Sequence, residues 1–161
     1  MTADTDSIGS NADPMETATA QLRAAGLRAT APRVAVLAEV AAGPHLTVDQ
    51  IATGARRRLG AISTQAVYDA LGALTGMGLV RRIEPAGSPT RYETRVGDNH
   101  HHVVCRSCGA IADVDCALGD PPCLSPSSAE GFVIDEAEVT FWGLCPSCQT
   151  TSTSHEQESA R

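Results

Sequence analysis

The sequence predicts an α+β chain built as two small units, and three observations predict it. Helix-period apolar positions fill residues 17–78, two strand-like runs fill 79–95, and a pair of Cys-x-x-Cys motifs, Cys105/Cys108 and Cys145/Cys148, marks the second half. The 161 residues suffice for one ordinary domain or two small ones. Aromatics are only 3% of the chain, which argues against one large aromatic core and for small units, at least one with a metal staple.

The first stretch, residues 1–16, is polar and acidic and has no apolar run. It reads as a disordered tail and not as a signal peptide, and no 18-residue apolar run follows it, so a cytoplasmic chain with no membrane partner is expected. Leu22 and Leu27 bracket a short first helix that stops at Gly26. Thr30 is placed to cap a second helix, with Pro32 in its first turn and Val36, Leu37 and Val40 on one face. Ala42-Gly43-Pro44 ends it. Thr47-Val-Asp-Gln50 is a capping box that opens a third helix running to about Leu59, with Gly60 as its C-cap. Ser63 opens a fourth, with Val67, Ala70, Leu71 and Leu74 at helical spacing, closed by Gly76 and Gly78. From Leu79 the period changes, and Leu79–Ile83 and Thr90–Arg95 read as two strands around the Glu84–Pro89 turn. Short helices followed by a hairpin is the layout of a winged helix, here spanning 17–95, with helix four as the recognition helix. A helical core with a hairpin and no nucleic-acid role has the same pattern.

Residues 96–150 carry strand-like pieces at His100–Val104, Ala110–Val114, Gly131–Ile134 and Val139–Gly143, with a Pro- and Ser-rich loop at Gly119–Ala129. Residues 151–161 read as a second disordered tail, in which His155 is a solvated side chain. The charge is divided between the units. Residues 17–95 hold ten Arg against five acids, a net of +5, and residues 96–161 hold two Arg against ten acids, a net of −8. A basic first unit suits an anionic partner and an acidic second unit suits cations. Every basic residue is Arg, a donor with fork geometry.

Cys105-Arg-Ser-Cys108-Gly109 and Cys145-Pro-Ser-Cys148 are separated by 36 residues. Two residues between cysteines let one knuckle present both thiolates to one ion, and two knuckles complete a tetrahedron. In a cytosolic chain this spacing favours structural Zn²⁺ over a disulfide framework. A four-sulfur shell has no open position, so the site is expected to be structural and not catalytic. A thioredoxin-like thiol oxidoreductase would need one such motif at a strand-to-helix turn, not two matched ones. Cys116 and Cys123 lie outside the pairs, either as free loop thiols or as a reversible disulfide that reports oxidation.

His100-His101-His102 precedes the first knuckle. On a strand, His100 and His102 share one face and His101 takes the other. Glu93 and Asp113 lie on flanking strand pieces and His45 lies just before helix three. Such a set of imidazoles and carboxylates suits Fe²⁺, Mn²⁺ or Zn²⁺. A solvated run of histidines is the alternative reading.

The ordered series Ala25-Gly-Leu-Arg-Ala-Thr-Ala-Pro-Arg33, His45 before Thr-x-x-Gln, Ala66-Val-Tyr68, Tyr92-Glu93, His100-His-His-Val-Val-Cys-Arg-Ser-Cys-Gly109 and the final Cys-x-x-Cys resembles the Fur family across about residues 20–150. Val-Gly-Asp-Asn-His-His-His, Asp-Val-Asp-Cys and Glu-Val-Thr-Phe-Trp-Gly-Leu-Cys-Pro are most similar to its actinobacterial, catalase-peroxidase-linked branch. The resemblance implies a homodimeric transcriptional repressor, no enzyme, whose second unit is a small α/β dimerisation domain stapled by zinc. It implies a regulatory Fe²⁺ or Mn²⁺, with Zn²⁺ a further candidate, on His45, Glu93, His100, His102 and Asp113. Three departures stand out: Asp69 follows Tyr68 where many members have Arg, Asn99 and Ala137 replace the ligands of a further metal site, which is therefore not expected, and the helix expected between the strands of the dimerisation domain falls in a Pro-rich stretch.

With helix four in the major groove, Thr64, Gln65 and Tyr68 face the bases. Arg28 and Arg33 reach phosphates or a narrow minor groove, and Arg91 or Arg82 on the wing contacts the DNA backbone. A dimer implies an A·T-rich pseudo-palindromic operator. The expected function is a repressor that senses iron, manganese or oxidation. A zinc-responsive regulator and a zinc-ribbon module with no DNA partner are the competing readings.

Overall fold

The computed structural model describes residues 12–98, 100–115, 127–134 and 137–150. Cys116, Cys123, Asn99, His155 and most of the Pro- and Ser-rich loop lie outside the described residues.

The helices are α1 (Pro14–Ala24), α2 (Ala31–Ala42), α3 (Val48–Leu59) and α4 (Thr64–Gly76). The first begins earlier than the tail expected through Glu16, because Asp13 caps it: its carboxylate accepts the Met15 N–H at 3.0 Å, and Pro14 occupies a first-turn position that needs no donor. It ends at Gly26, whose φ of 74° lets Leu27 N–H return to the Leu22 carbonyl at 2.8 Å. Thr30 stands at the cap of α2 but its side chain makes no capping bond. Pro32 removes one of the two first-turn N–H groups that such a hydroxyl would accept from. The Thr47–Gln50 box forms in full, with Thr47 N–H on Gln50 Oε1 at 2.9 Å and Gln50 N–H on Thr47 Oγ1 at 3.3 Å.

Strands β1 (Leu46–Thr47), β2 (Arg81–Ile83) and β3 (Arg91–Glu93) form an antiparallel sheet in the order β1-β3-β2. Leu22, Leu37, Val40, Ile51, Val67, Leu71, Leu74 and Val80 make a dry core under the helices, and Tyr92 closes it from the sheet. Burying each such side chain is worth about 1.5–3 kcal/mol, so this unit carries its own hydrophobic driving force.

Strands β4 (His101–Cys105), β5 (Ile111–Val114) and β6 (Thr140–Gly143) form a second sheet in the order β5-β4-β6. The β4–β5 pair is antiparallel, with His102 opposite Asp113, and the β4–β6 pair is parallel. The strand expected at Gly131–Ile134 does not form: Phe132 N–H turns back to the Ala129 carbonyl at 2.8 Å, and Phe132 and Val133 stand exposed. No described helix is long and apolar enough to cross a membrane.

Candidate metal centres and nucleic-acid face

The four knuckle cysteines converge. Cys105 ends β4, Cys108 follows it in a tight turn, and Cys145 and Cys148 open the short helical segment 146–150 after β6. All four Sγ atoms lie within 4.8 Å of one another, with Cys108 and Cys145 Sγ at 3.6 Å. A tetrahedron of thiolates at ~2.3 Å from zinc has S···S edges of roughly 3.8 Å, whereas a disulfide needs about 2 Å. All four are free thiols. The backbone N–H groups of Cys108 and Cys145 pull Cys105 down to about 6. Ser107 draws Cys148 down, but the Cys145 and Cys108 sulfurs outweigh it and push it up to about 11. Four thiolates therefore repel one another unless a cation joins them, and the all-sulfur set fits Zn²⁺.

A second cluster lies where the two sheets meet. His45 comes from the turn before β1, Glu93 from the end of β3, His102 from β4 and Asp113 from β5, and one ligand atom from each lies within 4.8 Å of the others. His45 Nε2 stands 2.7 Å from Asp113 Oδ1 and 3.1 Å from Glu93 Oε2, and His102 Nε2 stands 3.4 Å from Glu93 Oε2. His100 adjoins the set, with Nε2 3.0 Å from Glu93 Oε1 and 3.8 Å from Asp113 Oδ1. The five sequence-expected residues are thus in one place.

His45, Glu93, His100 and His102 are buried, while Asp113 is 30% exposed on a cleft of about 270 Å³ that Pro44, Thr94 and Arg95 also line. Burial raises the Glu93 carboxyl, but the histidines around it bring it down to about 2. Burial lowers His45, and Glu93 and Asp113 reverse this, so its net shift is upward. Although His45 Nε2 is that close to two carboxylates, neither contact has hydrogen-bond direction, and the atom is buried without a bonded partner. His100 and His102 share the Glu93 carboxylate as hydrogen-bond partner while His45 Nε2 has none, and this buried set of nitrogen and oxygen donors fits a divalent cation.

Outer partners complete the arrangement. Asp98 Oδ1 lies 2.6 Å from His100 Nδ1, fixing that ring, and Arg95 binds Asp98, Asp113 and Asp115 together. Neither Asp98 nor Arg95 was singled out from the sequence. The signal available was an acid two residues before His100. His101 faces the other way as expected, buried beside Phe141 with ring centroids 6.4 Å apart.

On the helical unit, Thr64, Gln65 and Tyr68 stand exposed on the first turns of α4. Gln65 Nε2 donates to Asp69 Oδ1 at 2.8 Å, and Arg56 reaches Thr64 Oγ1 at 3.3 Å. Arg33 donates to the Arg28 carbonyl at 3.2 Å, and a groove runs from Arg28 and Arg33 to Asp69. Arg91 departs from expectation. Its place on a basic hairpin predicts a DNA-backbone contact, yet its guanidinium turns inward to the carbonyls of His45 and Gly109. Strand alternation explains this: Arg91 shares a face with Glu93, and that face meets the second sheet.

Residues 24–141 match the Ferric uptake regulator family. The chain is 61% identical over 134 residues to the transcriptional regulator FurA of Mycobacterium tuberculosis, covering 83% of this chain and 91% of that protein. Among solved structures, it resembles the Helicobacter pylori ferric uptake regulator Fur, described as having three functional metal binding sites. The TM-score is 0.61 at 21% identity, over 84% of this chain and 91% of that one. It also resembles a zinc uptake regulator complexed with zinc and DNA, with a TM-score of 0.61 at 19% identity over 86% and 95% of the two chains.

Proposed function

Because the chain belongs to the Ferric uptake regulator family of transcriptional regulators, we propose that it is a repressor whose grip on operator DNA is set by Fe²⁺ or Mn²⁺ at the His45–Glu93–His100–His102–Asp113 cluster. The observation that carries this reading is that His45 and Glu93 belong to the helical unit while His102 and Asp113 belong to the second sheet. A cation would place positive charge between Glu93 and Asp113, where Arg95 reaches only the outer oxygen of Asp113. Glu93 and Asp113 repel each other without it, and the three imidazoles compete for the same carboxylate oxygens. Holding all five around one point fixes the pose of the helical unit relative to the second sheet. Coupling of this kind is typically worth about 1–3 kcal/mol, or ~5–150-fold in DNA affinity.

In this reading residues 17–95 are the DNA-binding head and 96–150 a dimerisation domain that Cys105, Cys108, Cys145 and Cys148 lock with Zn²⁺. The head carries the net +5 and presents Thr64, Gln65 and Tyr68 on an exposed helix start, a surface suited to a major groove. Arg28 and Arg33 supply phosphate contacts at its edge. A homodimer then reads an A·T-rich pseudo-palindrome in the cytoplasm and controls oxidative-stress or iron-homeostasis genes, a reading that the likeness to a transcriptional regulator supports. Fe²⁺ held by His100 and His102 would also make the site a target of peroxide.

Operator binding measured with Fe²⁺, Mn²⁺ and Zn²⁺, before and after peroxide and across salt concentrations, tests this. Affinity is expected to rise with Mn²⁺ and Fe²⁺, to fall steeply with salt, and to fall after peroxide in the iron form only. Equal affinity with and without metal would overturn the repressor mechanism.

A further inference from the structure

Arg91 lies in β3 two residues before Glu93, pairing with Thr47 on one side and Ile83 on the other. Its Nη1 donates to the His45 carbonyl at 3.1 Å, and its Nη2 to the Gly109 carbonyl at 3.0 Å. The first acceptor belongs to the ligand that the helical unit contributes. The second belongs to the turn that closes the Cys105–Cys108 knuckle, where Gly109 N–H also bonds the Cys105 carbonyl at 2.9 Å. One planar group therefore joins the backbones of two metal centres. Both acceptor residues have positive φ, 55° at His45 and 72° at Gly109. For a histidine that conformation is unfavourable and must be held by its surroundings. The Arg91 Nε is itself buried without a hydrogen-bond partner. A side chain desolvated in this way is committed to the interior.

We infer that Arg91 is a positioning residue that holds His45 over the mixed cluster and couples that cluster mechanically to the four-cysteine knuckle. The inference rests on the reading above only in taking the cluster as a cation site. Two consequences follow. Cation affinity depends on a residue that touches no cation, and cation binding stiffens the knuckle turn. Lys at 91 keeps the charge but has no fork to span two carbonyls, so it does not substitute.

The test uses the full-length, zinc-loaded chain and its Arg91→Lys and Arg91→Met variants. Mn²⁺ affinity is measured by titration, and amide hydrogen exchange across residues 105–109 is followed with and without Mn²⁺. Both variants are expected to bind Mn²⁺ at least about tenfold more weakly, the range set by lost outer partners of metal ligands. In the parent, Mn²⁺ slows exchange at the knuckle, and in the variants this response is lost. At saturating Mn²⁺ the salt slope of DNA binding stays as in the parent. Unchanged Mn²⁺ affinity together with a salt slope smaller by about one would overturn the inference and return Arg91 to a phosphate contact. Should the Met variant melt early, the Lys variant decides on the same two readouts. If Mn²⁺ affinity falls in the variants while no operator binding is found in the parent, the coupling stands and the repressor reading fails. If His102→Ala leaves Mn²⁺ affinity intact, both fail.

Discussion

Glu93 is the residue on which the mixed cluster turns. It is buried, it faces three imidazoles, and they hold its carboxyl at about 2, so it is an anion at any working pH. His102 is the most enclosed of those imidazoles, at 0% exposure, and it sits opposite Asp113 in the β4–β5 pair. Replacing it by alanine removes a nitrogen ligand without touching the helical core. His102→Ala is therefore expected to lose metal-dependent DNA binding, with metal affinity down by more than the ~10–100-fold that a lost outer partner costs. The helical unit should keep its cooperative melt. Operator titration with and without Mn²⁺, beside a thermal scan, checks both halves of that statement. The convergence of the cluster residues was legible in the sequence in part because imidazoles at i and i+2 on a strand must share a face. The inward turn of Arg91 was not legible, because residue type on a basic hairpin points to phosphate while parity with Glu93 points to the second sheet. Arginine suits phosphate and carbonyl equally well, and only the packing of the two sheets chooses between them.

Among the elements, β4 does the most. It carries His102 on one face, ends in Cys105, and receives β5 and β6 on its two edges. Its own sheet is thin: β5 has no buried residue, and Phe141 of β6 is half exposed. Apolar burial is too small to hold three short strands, and a cation joined to the four thiolates would supply the balance. Cys108→Ser should then loosen the whole second sheet. The expected result is early unfolding or loss of the dimer, zinc content well below one per chain, and a helical unit that still melts cooperatively. A normal melt with full zinc would place the stability elsewhere. In the helical unit the caps were readable because capping chemistry is local: Thr47–Gln50, Ser63, Gly26 and Gly60 all act within four residues. The second sheet was harder. The apolar run Gly131–Ile134 has strand composition, yet β4 takes β6 as its parallel partner. That pairing is made across more than thirty intervening residues, and local periodicity carries no information about it.

The molecule as a whole is a basic unit and an acidic unit meeting at a cluster that protons and cations contend for. This makes its response to metal depend on pH in a direction that can be stated. Glu93 folds with its carboxyl at about 2 against an ordinary 4.5. The stability it contributes is present above 4.5 and fades only as the pH falls toward 2, so Glu93 is constant near neutrality. His45 is shifted upward from 6.5, with burial opposing the shift and Glu93 and Asp113 overcoming it. In the metal-free protein its proton stabilises the fold fully below 6.5, and that contribution is lost as the pH rises through the folded value. A cation needs the same nitrogen deprotonated. Metal-free stability should therefore slip as the pH climbs above neutrality, while Mn²⁺-induced stabilisation grows over the same interval. Thermal scans with and without Mn²⁺, taken from about pH 6 to about pH 8, should show a gap in Tm that widens with pH. The same series in His45→Gln should narrow that widening, because one group for which proton and ion compete is gone. A gap that stays constant with pH in the parent would mean that the cation binds without displacing the His45 proton. The head would then reach the ion through Glu93 alone, and His45 would not be the group at which the signal is made.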